Sequence, residues 1–280
     1  NRTVYADLGL EVPLTWAEFA ANNEAIKASG IPPMLATYAD PWTSQLLVLA
    51  DFYNVQAQDP EFAESYTNNG AKFATNEAAL VGFERLAEGA AKDWYQEDYL
   101  STSHADGLGL LARGEVGHYP MLSVVIPSIE ADNPGSGANI GFFAQPSDSA
   151  DVNGATLWLP NSLYIAQNSE VKEAAKEFLR WVTSVEGAEY VNSQIPPTGP
   201  IVLNGVTLPD DVPEYVKEIQ AYIDAGNASP ALEFISPVKG PSLQNITVEV
   251  GSGIRDAVDG AATYDDDVEK QAKQLGLEGW

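Results

Sequence analysis

The chain has no cysteine, two histidines and only 14 lysines and arginines in 280 residues. Without thiols there is no disulfide, no thiol nucleophile and no thiolate metal site, and the lack is compatible with either redox compartment. His104 and His118 are too few for a multi-histidine metal centre and leave little scope for a serine-histidine-aspartate triad. The sequence carries no G-x-S-x-G, no G-x-x-x-x-G-K and no G-x-G-x-x-G before a helix, which removes the familiar hydrolase and nucleotide chemistries. No apolar run approaches the ~20 residues that span a bilayer, and the first residues are not a basic stretch followed by an apolar one.

Positive charge is scarce against 40 aspartates and glutamates, a net charge of −26. A field of that sign repels phosphate backbones and anionic membrane surfaces, so no nucleic-acid partner is expected. The acidity reads first as a solubility device. What remains is ordinary globular material, 45% hydrophobic and 19% charged, enough for one large domain or two modest ones.

Helices and apolar runs alternate along the chain. In "PLTWAEFAANNEAIKASGIPP", Thr15 and Glu18 form a capping box, Trp16, Phe19, Ala20 and Ile26 recur at helical spacing, and Gly30 with Pro32 stops the helix. "PPMLATY" reads as a strand and "DPWTSQLLVLADFY" as the helix after it, with Leu46, Leu49 and Phe52 on its stripe. A helix is predicted from Ala79 to Trp94, strands in "RGEVGHYPML" and "ANIGFFAQP", and a helix-like link between them in "VVIPSIEADNPG". "PSDSADVNGA" reads as a linker; its acids miss the calcium-loop template, with Ser149 at the first position and Pro160 at the twelfth, so no metal is expected. "SLYIA" reads as a strand and Ser169 as the cap of a helix bearing Ala175, Phe178, Leu179 and Val182. Helices at Pro213–Ala225, around Leu243 to Val258 and at Asp265–Leu275 close the chain, with Asp265, Asp266 and Asp267 as the last helix's acidic start. The pattern is α/β, with crossings near residues 150 and 205. The piece from Ala155 to Asn204 has too few elements to close its own core.

Five of these stretches, in order, resemble extracellular solute-binding proteins of carbohydrate ABC transporters: "YADLGLEVPLTWAEFAANNEAIKASGIPPML", "LLARGEVGHYPML", "NIGFFAQPSD", "NSEVKEAAKEFLRWVTSVEGAEYV" and "DVEKQAKQLGLEGW". The resemblance covers essentially the whole chain. It implies an α/β, type II periplasmic-binding-protein-like fold of two lobes, in which residues 1–154 and 206–280 form the second lobe and 155–205 return to a first lobe whose remainder is absent here. It also implies a non-catalytic role with no cofactor. A mono- or oligosaccharide would bind between the lobes and pass to the permease subunits of an ABC importer outside the cytoplasm, in the periplasm or lipid-anchored at the outer face of the membrane. The rival from another class is a glycoside hydrolase, which needs two carboxylates flanking the bond; no pair stands out among the acids.

A sugar offers apolar C–H faces and dense hydroxyls, so its site needs an aromatic ring and hydrogen-bonding groups. Asp40 and Trp42, with Thr43 beside them, supply both at a strand-to-helix turn, although Trp42 also suits a staple for its helix. In the resembling family an aromatic at the Trp42 position lies in the cleft. Trp158 is the second candidate platform, with Asn161 and Ser162 as polar partners, or else packs under the hinge. The resemblance adds Tyr119, Met121, Leu122 and Ser123, though Val124 stands where the family commonly has a tryptophan. Glu233, Phe234 and Lys239 line the cleft or form a solvated loop. Trp16, Trp94 and Trp181 share helix faces with apolar residues and read as core.

Overall fold

The computed structural model describes residues 1–158 and 162–280. The helix Trp16–Ala28 starts as expected, with the Thr15 side chain accepting from Glu18 N and the Glu18 carboxylate closing the capping box. Helix Glu77–Ala91 is capped by Asn76, and Val125–Asp132 and Glu214–Asp224 fall where the apolar pattern put them. No helix of the described residues is long and apolar enough to cross a membrane.

The stretch predicted as one helix from Asp40 to Tyr53 is broken into a 3-10 turn, Pro41–Gln45, and two short helices, Leu46–Ala50 and Phe52–Gln58. The wedge comes from far along the chain. Thr156 Oγ1 donates to Ala50 O at 2.7 Å and accepts from Tyr53 N at 2.9 Å, taking up groups that a continuous helix would pair with its own turns. Thr156 sits in β1 (Ala155–Leu157), which pairs in parallel with β2 (Ala228–Pro230) in the register Ala155 to Ala228.

Among the described residues, the expected strands "PPMLATY" and "RGEVGHYPML" form only isolated bridges, and Arg113 to Gly117 of the latter are turn and bend. Met34 bridges to Tyr95 and to His118, and Thr15 to Ser147. Pro32 and Pro33 cannot donate to a ladder, and Gln96 replaces a neighbouring backbone by presenting its amide to Ala36 N at 3.0 Å and Ala36 O. "ANIGFFAQP" likewise has no ladder partner, and "SLYIA" is not a strand. Ser169 is not the cap of its helix, which runs Lys172–Val182 behind Val171.

The C-terminal helices also differ from expectation. Leu243–Gly251 ends before Gly253, whose φ of 73° breaks the helix, and the last helix begins at Ala257 behind Asp256 and runs to Leu275. Asp265 and Asp267 are therefore mid-helix, and they hold other segments. Asp265 accepts from Phe73 N and Ala74 N at 2.8 and 2.9 Å, while Asp267 accepts from Ser242 N at 2.7 Å.

Two apolar clusters make the core. One gathers Trp16, Phe19, Phe52, Phe62, Tyr66, Phe73, Phe83, Trp94 and Tyr264. The other gathers Leu35, Leu108, Leu111, Val116, Ile126, Ile129, Ile140 and the helix residues Tyr215, Val216 and Ile219. Trp16 and Trp94 are core as expected, their ring nitrogens donating to Glu88 and Glu24. Trp181 is not: it is 38% exposed, in contact with Phe178 and Tyr190, which are 54% and 58% exposed. The helices Lys172–Val182 and Val185–Gln194 pack on each other, and nothing among the described residues covers this face.

Candidate functional site

A cavity of about 490 Å³ opens at the seam of the two clusters, with Trp16, Phe19 and Leu47 on one side and Leu111, Ile126, Ile140 and Ile219 on the other. Its rim holds the loop from Tyr119 to Val125, the segment Ile140 to Pro146, the crossing strand from Ala155 to Trp158, and the Thr198–Pro200 turn. Its polar groups include the hydroxyls and amides of Ser123, Thr156, Thr198 and Gln145.

The wall from Ile140 to Pro146 lacks a β-ladder, and side chains from three directions satisfy its backbone instead. Glu218 accepts from Phe142 N at 2.8 Å and the Tyr222 hydroxyl from Ala144 N at 3.2 Å. Asn54 donates to Gln145 O, and Arg85 donates to Pro146 O at 2.8 Å. An unpaired buried backbone group costs about 1–3 kcal/mol, so each of these side chains fixes the wall as a ladder would.

Arg85 lies at the centre of this support. It is buried, pairs with the buried Asp51 at 2.8 Å, reaches the exposed Asp148 at 3.0 Å, and lies 4.6 Å from the Trp16 ring. Burial pushes the Asp51 carboxyl up, and the Arg85 charge with the Asn54 and Gln145 amides pulls it back.

The expected site residues separate into three groups. Tyr119, Met121, Leu122, Ser123 and Trp158 line the cavity together. Asp40, Trp42 and Thr43 are not among its lining residues. Asp40 accepts from His104 N at 2.7 Å, the first N–H of the helix His104–Ala112 whose cap is Ser103, Thr43 donates to Thr37 O at 2.9 Å, and the half-buried Trp42 meets the His104 ring edge-on at 5.0 Å. A bonding chain nevertheless joins the two regions, because the Tyr119 hydroxyl lies 2.8 Å from His104 Nδ1 and 2.7 Å from Thr37 Oγ1. The third group is Glu233, Phe234 and Lys239. They do not line the cavity; Glu233 accepts from Trp158 Nε1 at 2.6 Å and pairs with Lys239, while Phe234 is half exposed. Asn161 lies outside the described residues, and Ser162 is exposed.

His118, Phe142, Phe143 and Thr156 line the cavity without having been singled out as site residues. Burial drives the His118 imidazole down to about 3, so it is neutral, with Nε2 2.6 Å from the Tyr5 hydroxyl. The paired phenylalanines of "ANIGFFAQP" were the available signal, because adjacent aromatics on an extended segment face opposite sides, and here Phe143 packs on one cluster and Phe142 on the other, so both reach the cavity at the seam. Among the described residues no group of three or more histidines, aspartates or glutamates is placed to hold a metal ion.

The architecture is the α/β type II periplasmic-binding-protein fold. A chitin oligosaccharide binding protein superposes with a TM-score of 0.78 at 21% identity, over 98% of this chain and 68% of that one. RafE from Streptococcus pneumoniae superposes at 0.70 with 19% identity, over 96% of this chain and 68% of that one, and a second RafE structure holds raffinose. In sequence, the multiple sugar-binding protein of Streptococcus mutans is 26% identical over 198 residues, 68% of this chain. That match spans 45% of the longer protein. The family model of the bacterial extracellular solute-binding proteins matches residues 1–189, and the chain belongs to that family.

Proposed function

We propose that the cavity binds a mono- or oligosaccharide, without chemical change to it, for delivery to the permease subunits of an ABC importer on the outer side of the membrane. The observation that carries this is the lining itself. An indole, a phenol and two phenyl rings, from Trp158, Tyr119, Phe142 and Phe143, stand with hydroxyls and amides around a cavity of about 490 Å³, the combination that a sugar's C–H faces and hydroxyls require. Hydrolysis would ask for two carboxylates across a glycosidic bond, and no aspartate or glutamate is among the described lining residues. The matching proteins include ones named for multiple sugars and chitin oligosaccharides, and one bound to raffinose.

Residues 1–154 and 206–280 form one lobe in this proposal, and 155–205 belong to another. The exposed Phe178, Trp181 and Tyr190 support it, since an amphipathic helix pair without a buried face needs cover. Closure of the two lobes over the sugar would set affinity through contacts made only when closed. The test is calorimetric titration of the full-length protein with raffinose, chitotetraose and maltotetraose, with mass analysis of the sugar afterwards. Tight binding and an unaltered sugar are expected; shortened sugars would make it a hydrolase, and no binding across the panel would overturn the sugar reading.

A further inference from the structure

Trp158 and Glu233 stand at matching places, each just past the carboxyl end of one of two paired parallel strands. β1 ends at Leu157 and β2 at Pro230, and the pairing continues one step further through Ala231 N donating to Leu157 O at 2.9 Å. The short 3-10 turn Leu232–Phe234 then lifts Glu233 beside the indole. One carboxylate oxygen accepts from Trp158 Nε1 at 2.6 Å, and the other takes the Lys239 ammonium. Burial lowers the affinity of Lys239 for its proton, so the ammonium depends on this carboxylate for compensation. Both oxygens of Glu233 are thus engaged inside the protein, and its side chain is about three-quarters buried. Neither Glu233 nor Lys239 lines the cavity, whereas Trp158 does.

We propose that the Glu233–Lys239 pair is a positioning device that fixes the Trp158 ring as a stacking platform in the cavity before ligand arrives. The inference rests on the sugar-binding reading of that cavity. A tryptophan has two free side-chain torsions, and a charge-assisted hydrogen bond from the ring nitrogen to a carboxylate settles both. A platform already oriented loses less freedom on binding, and that saving appears as affinity. Lys239 in turn holds the carboxylate, so Glu233 acts through the ring and Lys239 through Glu233.

Two measurements test this. The first uses nitrogen-15 indole-labelled protein without ligand. The Trp158 Nε1–H resonance should be shifted downfield and exchange slowly with water, keep part of that shift and protection in Glu233→Gln, which retains a neutral acceptor, and return to the position and exchange of a free indole in Glu233→Ala. An Nε1–H signal unaffected by Glu233→Ala overturns the proposal. The second is affinity for whichever of raffinose, chitotetraose or maltotetraose the wild type binds. Glu233→Ala should weaken it about tenfold and Glu233→Gln less than threefold, and Glu233→Ala should add nothing in a Trp158→Phe background, where there is no ring N–H to hold. Equal losses in both backgrounds would make Glu233 a ligand contact or a purely structural residue and overturn the proposal. Wild-type protein that binds none of the three sugars removes the platform's purpose and overturns the positioning claim together with the sugar reading. A sugar that binds unchanged in Glu233→Ala overturns the positioning claim alone.

Discussion

Replacing Arg85 with methionine should cost the fold about 3–5 kcal/mol, the range for breaking a buried ion pair from one side. The guanidinium has four neighbours: Asp51 at 2.8 Å, Pro146 O at 2.8 Å, Asp148 at 3.0 Å and the Trp16 ring at 4.6 Å. The Asp148 arm contributes little, because that carboxylate is 78% exposed and solvent screens it. The main loss is at Asp51, 1% exposed, whose Oδ2 already has no partner and whose Oδ1 would keep only the Asn54 and Gln145 amides. Methionine fills most of the space, so the loss is electrostatic rather than a cavity. Urea unfolding of the wild type, Arg85→Met, Asp51→Asn and the double variant closes the cycle. The double variant should be more stable than Arg85→Met, since asparagine removes the stranded charge. The pH dependence has a fixed sign. In Arg85→Met the Asp51 carboxyl, already pushed up by burial, loses the charge that pulls it down. The native state then holds a proton the unfolded state has released, so the variant regains stability as the pH falls through that raised value. A loss below about 1 kcal/mol, or no recovery in the double variant, would refute the argument that this pair is held by mutual need.

The buried His118 supplies a second pH effect of opposite sign. Its imidazole titrates near 3 in the fold against an ordinary 6.5, so stability should fall as the pH drops from 6.5 towards 3, by up to ~1.4 kcal/mol per pH unit. His118→Gln should remove that slope in urea midpoints taken across the window, and an unaltered slope would assign it to other groups. Gly154→Ala should destabilise by about 1–3 kcal/mol, because a Cβ there meets the Tyr53 ring at 2.2 Å and Asn227 O at 2.6 Å; a thermal midpoint within a degree of wild type would contradict the packing at the start of β1. With a net charge of −26, raising sodium chloride from ~10 mM to ~1 M should raise the melting temperature as the screening length falls from ~30 to ~3 Å, and a flat response would mean that self-repulsion is unimportant. Phe178→Ser with Trp181→Ser should leave the stability of the 280-residue chain within about 0.5 kcal/mol and reduce its binding of a hydrophobic dye, whereas a loss above 2 kcal/mol would mean that the face is already buried.

Local signals were legible where the chain satisfies itself locally. The Thr15–Glu18 capping box, the helix pattern from Ala79 to Trp94 and the proline stop after Gly30 concern neighbours in sequence, and the structure contains each helix they mark. Several of the misread elements depend on a distant side chain. Nothing near residues 50 to 53 announces that the Thr156 hydroxyl interrupts that helix, and nothing in "TYDDDVEK" tells that Asp265 holds Phe73 N rather than a helix start. At the cavity the aromatic and hydroxyl residues around Tyr119 and at Trp158 were visible as residue types. Asp40 and Glu233 were equally visible as carboxylates, but whether a carboxylate faces a ligand or a neighbouring N–H is decided by packing, and here both are taken.

The same substitution of side chain for backbone explains what kind of cavity this is. A wall made of a β-ladder is held by its own regular bonds, and changes in its side chains leave the backbone in place. The wall from Ile140 to Pro146 is held by Glu218 and Tyr222 from one helix, Asn54 from a second and Arg85 from a third. Its position is therefore coupled to the packing of the helices Phe52–Gln58, Glu77–Ala91 and Glu214–Asp224. A shift of any one of them moves the rings of Phe142 and Phe143 relative to Trp158, whose ring nitrogen is held by Glu233 outside the cavity. The distance between these aromatic surfaces follows from helix packing as much as from the residues that line the cavity. Under the sugar-binding proposal, the helices behind the wall help decide which ligand fits.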